Sequence, residues 1–295
     1  MTIAGYPARG SSDGRWLALP ALAVLGLFFT AFAVFAIVSL LHNVSGTASI
    51  VGPPSLDNYR AVVGLKLNRD VTLDTLWLAL QLTGLCILIG YPLAYLMART
   101  PSRTLRNLIL FALIVTFLSG GVTRAYAWLI ILGNTGLVNA LLKTVGLTPL
   151  PLVHNRTGVI ISLVHFLLPF FTLTLFGGLK TVPASLEEAA RNLGATRMRS
   201  FVAITLPLSV PALIAASTLT YAVALSSFLF PDLLGGGRSP MAANLIYQKI
   251  LDAFDIPAAA AMAVLFLLIA LACVGVLGQL ERLVQRRFPT TGRRA

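Results

Sequence analysis

The residues of this chain that could do chemistry are few and far apart. His42, His154 and His165 are separated by long stretches, and only His165 lies inside a long apolar run, shortly before Pro169. A histidine there suits a proton relay or a solute contact; a hydrogen bond to a neighbouring helix is the plainer alternative. Cys86 and Cys273 sit in apolar runs with no CxxC pair, and read as packing residues. No GxxxxGK[ST] phosphate loop, HExxH or GxSxG occurs. Without a nucleotide site, any energy must come from a partner or from an ion gradient. The stretch STLTYAVALSSFLFPD carries Ser217, Thr220, Tyr221 and Ser227 at lipid-depth hydropathy, with Asp232 just beyond. Such hydroxyls either join helices to one another or line a path.

One stretch breaks the apolar pattern, LEEAARNLGATRMRSFVAITLP from Leu186 to Pro207. Pro183 and Ser185 announce a helix, and Ser185-Leu-Glu-Glu188 has the spacing of a capping box. Glu187 and Glu188 fall in the first turn, where the helix dipole favours negative charge. Leu186, Ala189, Ala190 and Leu193 share one face, and Gly194 suits a left-handed cap. A second short helix follows, with Thr196 as its cap, before the chain returns to apolar sequence at Leu206-Pro207. A helix this short is marginal alone and needs a surface to pack on. That surface is either this chain's own helix ends or a groove in another protein.

The elements that must position these residues are membrane helices. The chain has 295 residues, 57% hydrophobic and 11% charged, with a mean hydropathy of +0.86. A soluble domain is about a quarter charged. The net charge of +12 does not point to nucleic acid, because no basic stretch is interleaved with stacking aromatics. Six spans are predicted, at about 16–41, 75–97, 105–118 with a continuation past Gly120-Gly121 left open, 158–179, 208–230 and 258–280. With the N-terminus inside, fourteen of the 22 lysines and arginines fall on the inner side and eight, Arg124 among them, on the outer. This places both termini and the hairpin in the cytoplasm. The expected division is a tail at 1–15, one membrane domain at 16–280 with a loop at 181–207, and a basic tail at 281–295. The segment after span three reads as short helices at the outer interface, with Tyr126 and Trp128 at headgroup depth. Asn43-Val-Ser and Asn155-Arg-Thr match the glycosylation triplet, a match that recurs by chance.

Glu188-Ala189-Ala190, then Gly194, then Ile204-Thr205-Leu206-Pro207 resemble, in order and spacing, the EAA loop of binding-protein-dependent ABC importer permeases. The resemblance implies an all-α, type I importer-like permease without catalytic residues. Its coupling helix would seat in an ATPase groove through Glu187, Glu188, Ala189, Ala190, Arg191 and Gly194, followed by Ile204, Leu206 and Pro207. It also implies a second permease subunit, two ATPase subunits holding ATP and Mg, an external binding protein, and a bacterial inner membrane. LDNYR, GYPLAYLMAR, TRAYAWLIILGNTGLVN and PDLLGGG are similar to the first permease of spermidine/putrescine-type importers, over roughly residues 55–280. For a polyamine, Asp232, Tyr221, Tyr126 and Trp128 would suit a cation by charge and cation–π attraction. Alternatives stay open: another small solute such as an amino-phosphonate, an opine or a metal ion, or a gradient-driven carrier acting alone with His165. A membrane enzyme lacks any metal or nucleophile cluster.

Overall fold

The computed structural model describes residues 19–43, 50–51 and 53–287. The tail at 1–15 and the last eight residues of the basic tail lie outside them. Thirteen α-helices are described: α1 Leu19–Val38, α2 Asp57–Gly64, α3 Lys66–Arg99, α4 Arg103–Leu118, α5 Gly121–Leu132, α6 Leu137–Thr144, α7 Arg156–Leu179, α8 Ala184–Asn192, α9 Arg197–Ser200, α10 Leu206–Leu225, α11 Leu229–Gly235, α12 Ala242–Leu251 and α13 Ile256–Arg287. A two-residue antiparallel bridge pairs His42–Asn43 with Ile50–Val51. Among the described residues six helical stretches are long and apolar enough to cross a membrane: Leu19–Val38, Lys66–Arg99, Gly121–Thr144, Arg156–Leu179, Arg197–Leu225 and Ile256–Gln279.

The core lies where α3, α7 and α10 meet, around Leu78, Leu82, Leu163, Phe171 and Leu175. Small residues permit the close crossings that lipid-embedded helices need. A Cβ on Gly178 of α7 would collide with the Cβ of Ala212 on α10. Hydroxyls inside the spans bond their own helices: Thr75 Oγ1 donates to Val71 O at 2.7 Å and Thr83 Oγ1 to Ala79 O at 2.8 Å. Asn155 caps α7, its side chain accepting from the Thr157 amide. A second cluster joins α2, α3, α12 and α13 through Val62, Val71, Leu245 and Met262. Among the described residues helix α1 has no buried residue and touches α13, leaving most of its apolar surface uncovered by this chain.

Helices α3 and α7 run parallel. Arg156 Nη1 meets Asp74 Oδ1 at 2.6 Å near their starts, and Arg99 Nη1 donates to Val182 O at 3.1 Å near their ends. The segment between them must therefore cross back. Helix α4, 16 residues, spans only about 24 Å, and α5 completes the crossing. The ring of Phe117 on α4 lies 4.9 Å from that of Phe170. On α5, Gly121 adjoins Phe166, Trp128 pairs with His165, and Leu132 reaches Gly158. This corrects the expectation of an interfacial helix for α5 and follows the continuation past Gly120-Gly121 that the sequence left open. Gly120 and Gly121 break the helix but not the crossing, and Trp128 sits at His165 depth rather than among headgroups.

Candidate coupling site

The hairpin forms α8, a glycine turn and α9, then a π-helical turn over Phe201–Thr205 that leads into α10. Helix α8 starts two residues earlier than a Ser185 cap would place it. Pro183 is its N-cap, with no side-chain cap bond. Proline suits this junction because its φ is already set and the missing amide would have been orphaned. At the other end Gly194 takes φ of +88°, Ala195 N donates to Ala190 O, and Gly194 N donates to Arg191 O. These two bonds make a Schellman turn, and the left-handed backbone explains the glycine. Thr196 caps α9 as expected, accepting from Arg199 N at 3.2 Å.

Adjacent glutamates have opposite fates, because consecutive helical positions differ by about 100°. Glu188 faces outward. Glu187 points back to the membrane domain, with its side chain 14% exposed. Its Oε1 accepts from Arg99 Nε at 2.7 Å and from the Thr205 hydroxyl, and its Oε2 accepts from Tyr95 OH at 3.0 Å. One carboxylate thus ties α8 to the end of α3 and to the start of α10. The π turn contributes by rotating Thr205 inward, a frequent use of such local widening. Burial alone would push the Glu187 carboxyl up. The hydrogen bonds from Thr205, Arg99 and Tyr95, with the Arg99 charge, outweigh burial and hold it below its ordinary value.

The face carrying Leu186, Ala189, Ala190 and Leu193 has no such cover. No residue of α8 is buried, and Leu193 at the tip is 90% exposed. Of the two surfaces the sequence allowed, the chain's own helix ends do not cover this face among the described residues. Behind the hairpin lies a cavity of about 820 Å³, with Tyr91, Tyr95, Arg99, Arg191, Arg197 and Phe201 in its wall. Ile204, Leu206 and Pro207 are half-buried at the return to α10.

The residues expected on a solute path divide. Ser217, Thr220 and Ser227 donate to Leu213 O, Ala216 O and Val223 O of α10, which uses their protons and leaves their acceptor lone pairs. Tyr221 is buried against Cys273 on α13. Trp128 Nε1 donates to His165 Nδ1 at 3.1 Å, which gives His165 the plainer of its two roles. Asp232 on α11 and Tyr126 on α5 remain exposed on adjacent helices. The sequence reading missed two features: the inward turn of Glu187, and Arg124. The second had a visible signal, a charge among apolar neighbours.

A bundle of membrane helices with a protruding, latched hairpin defines a membrane transport subunit. The family of binding-protein-dependent transport system inner membrane components matches over residues 90–287, and the chain belongs to it. It is a multi-pass inner-membrane permease of an importer. The chain is 35% identical over 212 residues to the spermidine/putrescine transport system permease protein PotB of Salmonella typhimurium, covering 71% of this chain and 73% of that one. It is 29% identical over 267 residues to the molybdenum transport system permease protein ModB of Mycobacterium bovis, covering 90% and 92%. The bacterial alginate ABC transporter, solved in complex with an alginate pentasaccharide-bound periplasmic protein, has a chain of the same fold. Its TM-score is 0.70 at 21% identity, covering 97% of this chain and all of that one.

Proposed function

We propose that this permease works beside a second permease chain, receives ATPase motion through the α8–α9 hairpin, and takes a small, polyamine-like cation from an external binding protein. The observation that carries the coupling role is the bare apolar face of α8 on a helix that Glu187, on a different face, latches to α3 and α10. A rigid handle with an unfilled docking face transmits motion; a floppy one would absorb it. ATP and Mg belong to the ATPase partners. On nucleotide binding the ATPases close, the hairpins ride with them, and the paired permeases rock between inward- and outward-facing arrangements. The placement of Arg124 inside the membrane domain removes one charge from the outer count. That sharpens the basic asymmetry favouring a cytoplasmic hairpin and cytoplasmic termini.

The PotB similarity and the exposure of Asp232 and Tyr126 on adjacent helices, with Asp232 also accepting from Asn244 Nδ2, favour a cationic solute. The test is ATP-driven uptake of labelled spermidine and putrescine into proteoliposomes holding the assembled transporter. Uptake that needs ATP and the ATPase subunits supports the reading, and uptake by this chain alone on an ion gradient refutes it. Asp232→Asn is expected to cut polyamine uptake at least about tenfold while the complex assembles normally. Unchanged uptake would remove Asp232 from the path.

A further inference from the structure

Three arginines are anchored in the body of the helical domain, and two are paired: Arg99 with Glu187 and Arg156 with Asp74. Arg124 is not. The residue is 7% exposed, it has no carboxylate within ion-pair distance among the described residues, and its Nε and Nη1 are buried without a hydrogen-bond partner there. The guanidinium lies 4.6 Å from the centre of the Phe166 ring. A ring face offsets some of the lost hydration, but it does not satisfy N–H donors.

The position adds to the anomaly. Arg124 lies in the first turns of the 12-residue helix α5. That helix begins where the α4–α5 crossing is broken, beside Phe166 and Phe170, midway along α7. Gly120 precedes it and offers no side-chain cap. The first-turn amides therefore lack helix partners, and the positive end of the helix lies at the same depth as the unpaired cation. Interrupted membrane helices use such ends to hold anionic groups near the midplane.

We propose that Arg124 and the N-terminal turn of α5 form a mid-membrane oxyanion site, filled by a carboxylate in the working transporter. The carboxylate comes from the facing permease subunit or from the solute. The first source rests on the paired-permease reading above, and it is the one compatible with a polyamine, which carries no acid group. In either case the guanidinium supplies charge-assisted N–H donation, and the α5 amides receive the second face of the ligand. His165, held by Trp128, stands beside the site as part of its wall.

The test compares wild type, Arg124→Met and Arg124→Lys in the assembled transporter, reading the thermal midpoint and the ATP hydrolysis stimulated by loaded binding protein. A facing-subunit carboxylate predicts that Arg124→Met lowers the midpoint, because it strands a buried acid, and that Arg124→Lys recovers part of it. A solute carboxylate predicts an unchanged or raised midpoint with stimulated hydrolysis down at least about tenfold. An Arg124→Met complex with an unchanged or higher midpoint and hydrolysis within about twofold of wild type overturns the site, since removing a truly unpartnered charge should relieve the protein. Failure of the wild-type subunits to assemble counts against the paired-permease reading. In that case the same midpoint comparison is made on this chain alone, where a lower midpoint for Arg124→Met contradicts the proposal.

Discussion

Glu187→Ala should free the hairpin without unfolding the membrane domain. It strands Arg99 in a site where that residue is 15% exposed, and leaves Thr205 and Tyr95 without their acceptor. Removing one partner of a buried pair costs about 3 kcal/mol at the low end of the measured range. Local opening of residues 184–200 should then rise about a hundredfold, read as amide hydrogen exchange. Transport should fall while the ATPases still hydrolyse ATP, because the handle turns without moving α3 and α10. Arg99→Met combined with Glu187→Met should recover much of the protection, since an apolar pair replaces a satisfied ionic one at little cost. The pH dependence has a definite sign. The folded pKa is depressed below the ordinary value of 4.5, so the contribution is present above that value and is lost as pH falls through the lower folded value. Hairpin protection should therefore be flat from neutral pH down to about 5. Equal exchange in wild type and Glu187→Ala would remove the latch from the account.

Gly178→Val should damage the fold itself. The α7–α10 crossing has no room for a Cβ at this position, because Ala212 occupies the space. Overpacking costs about 1–3 kcal/mol where neighbours can shift, and two helix backbones in contact shift little. The expected result is a lower thermal midpoint and poor membrane yield. The exchanged pair Gly178→Ala with Ala212→Gly should restore most of both, as it moves one methyl across the same contact. A Gly178→Val variant with wild-type midpoint and yield would mean that the crossing is looser than its geometry.

Much of this architecture can be read from sequence because its signals are local. Hydropathy locates α1, α3, α7, α10 and α13. The run from Glu188 through Gly194 to Pro207 marks the hairpin, and the Schellman turn at Gly194 follows from a residue type alone. What stayed hidden depends on relations across the chain. Glu187 and Glu188 are indistinguishable until Arg99, 88 positions away, shows which of them is turned inward. The capping-box spacing at Ser185 was real but unused, because Pro183 opens the helix first. The crossing by α5 was obscured by Gly120 and Gly121, which interrupt a hydropathy window without ending a span. The hydroxyls of Ser217, Thr220 and Ser227 give their protons to helical carbonyls four residues back, a local pairing that residue types alone do not display.

The central claim is that α8 is a handle for an ATPase, and copurification with Leu193→Asp tests it most directly. Leu193 is 90% exposed, so the change spares the fold while placing a charge on the bare docking face. Wild-type permease, expressed with its neighbouring genes, is predicted to retain an ATPase subunit that the variant loses, with equal membrane yield of the two permeases. An ATPase retained equally by both, or by neither, would contradict the account.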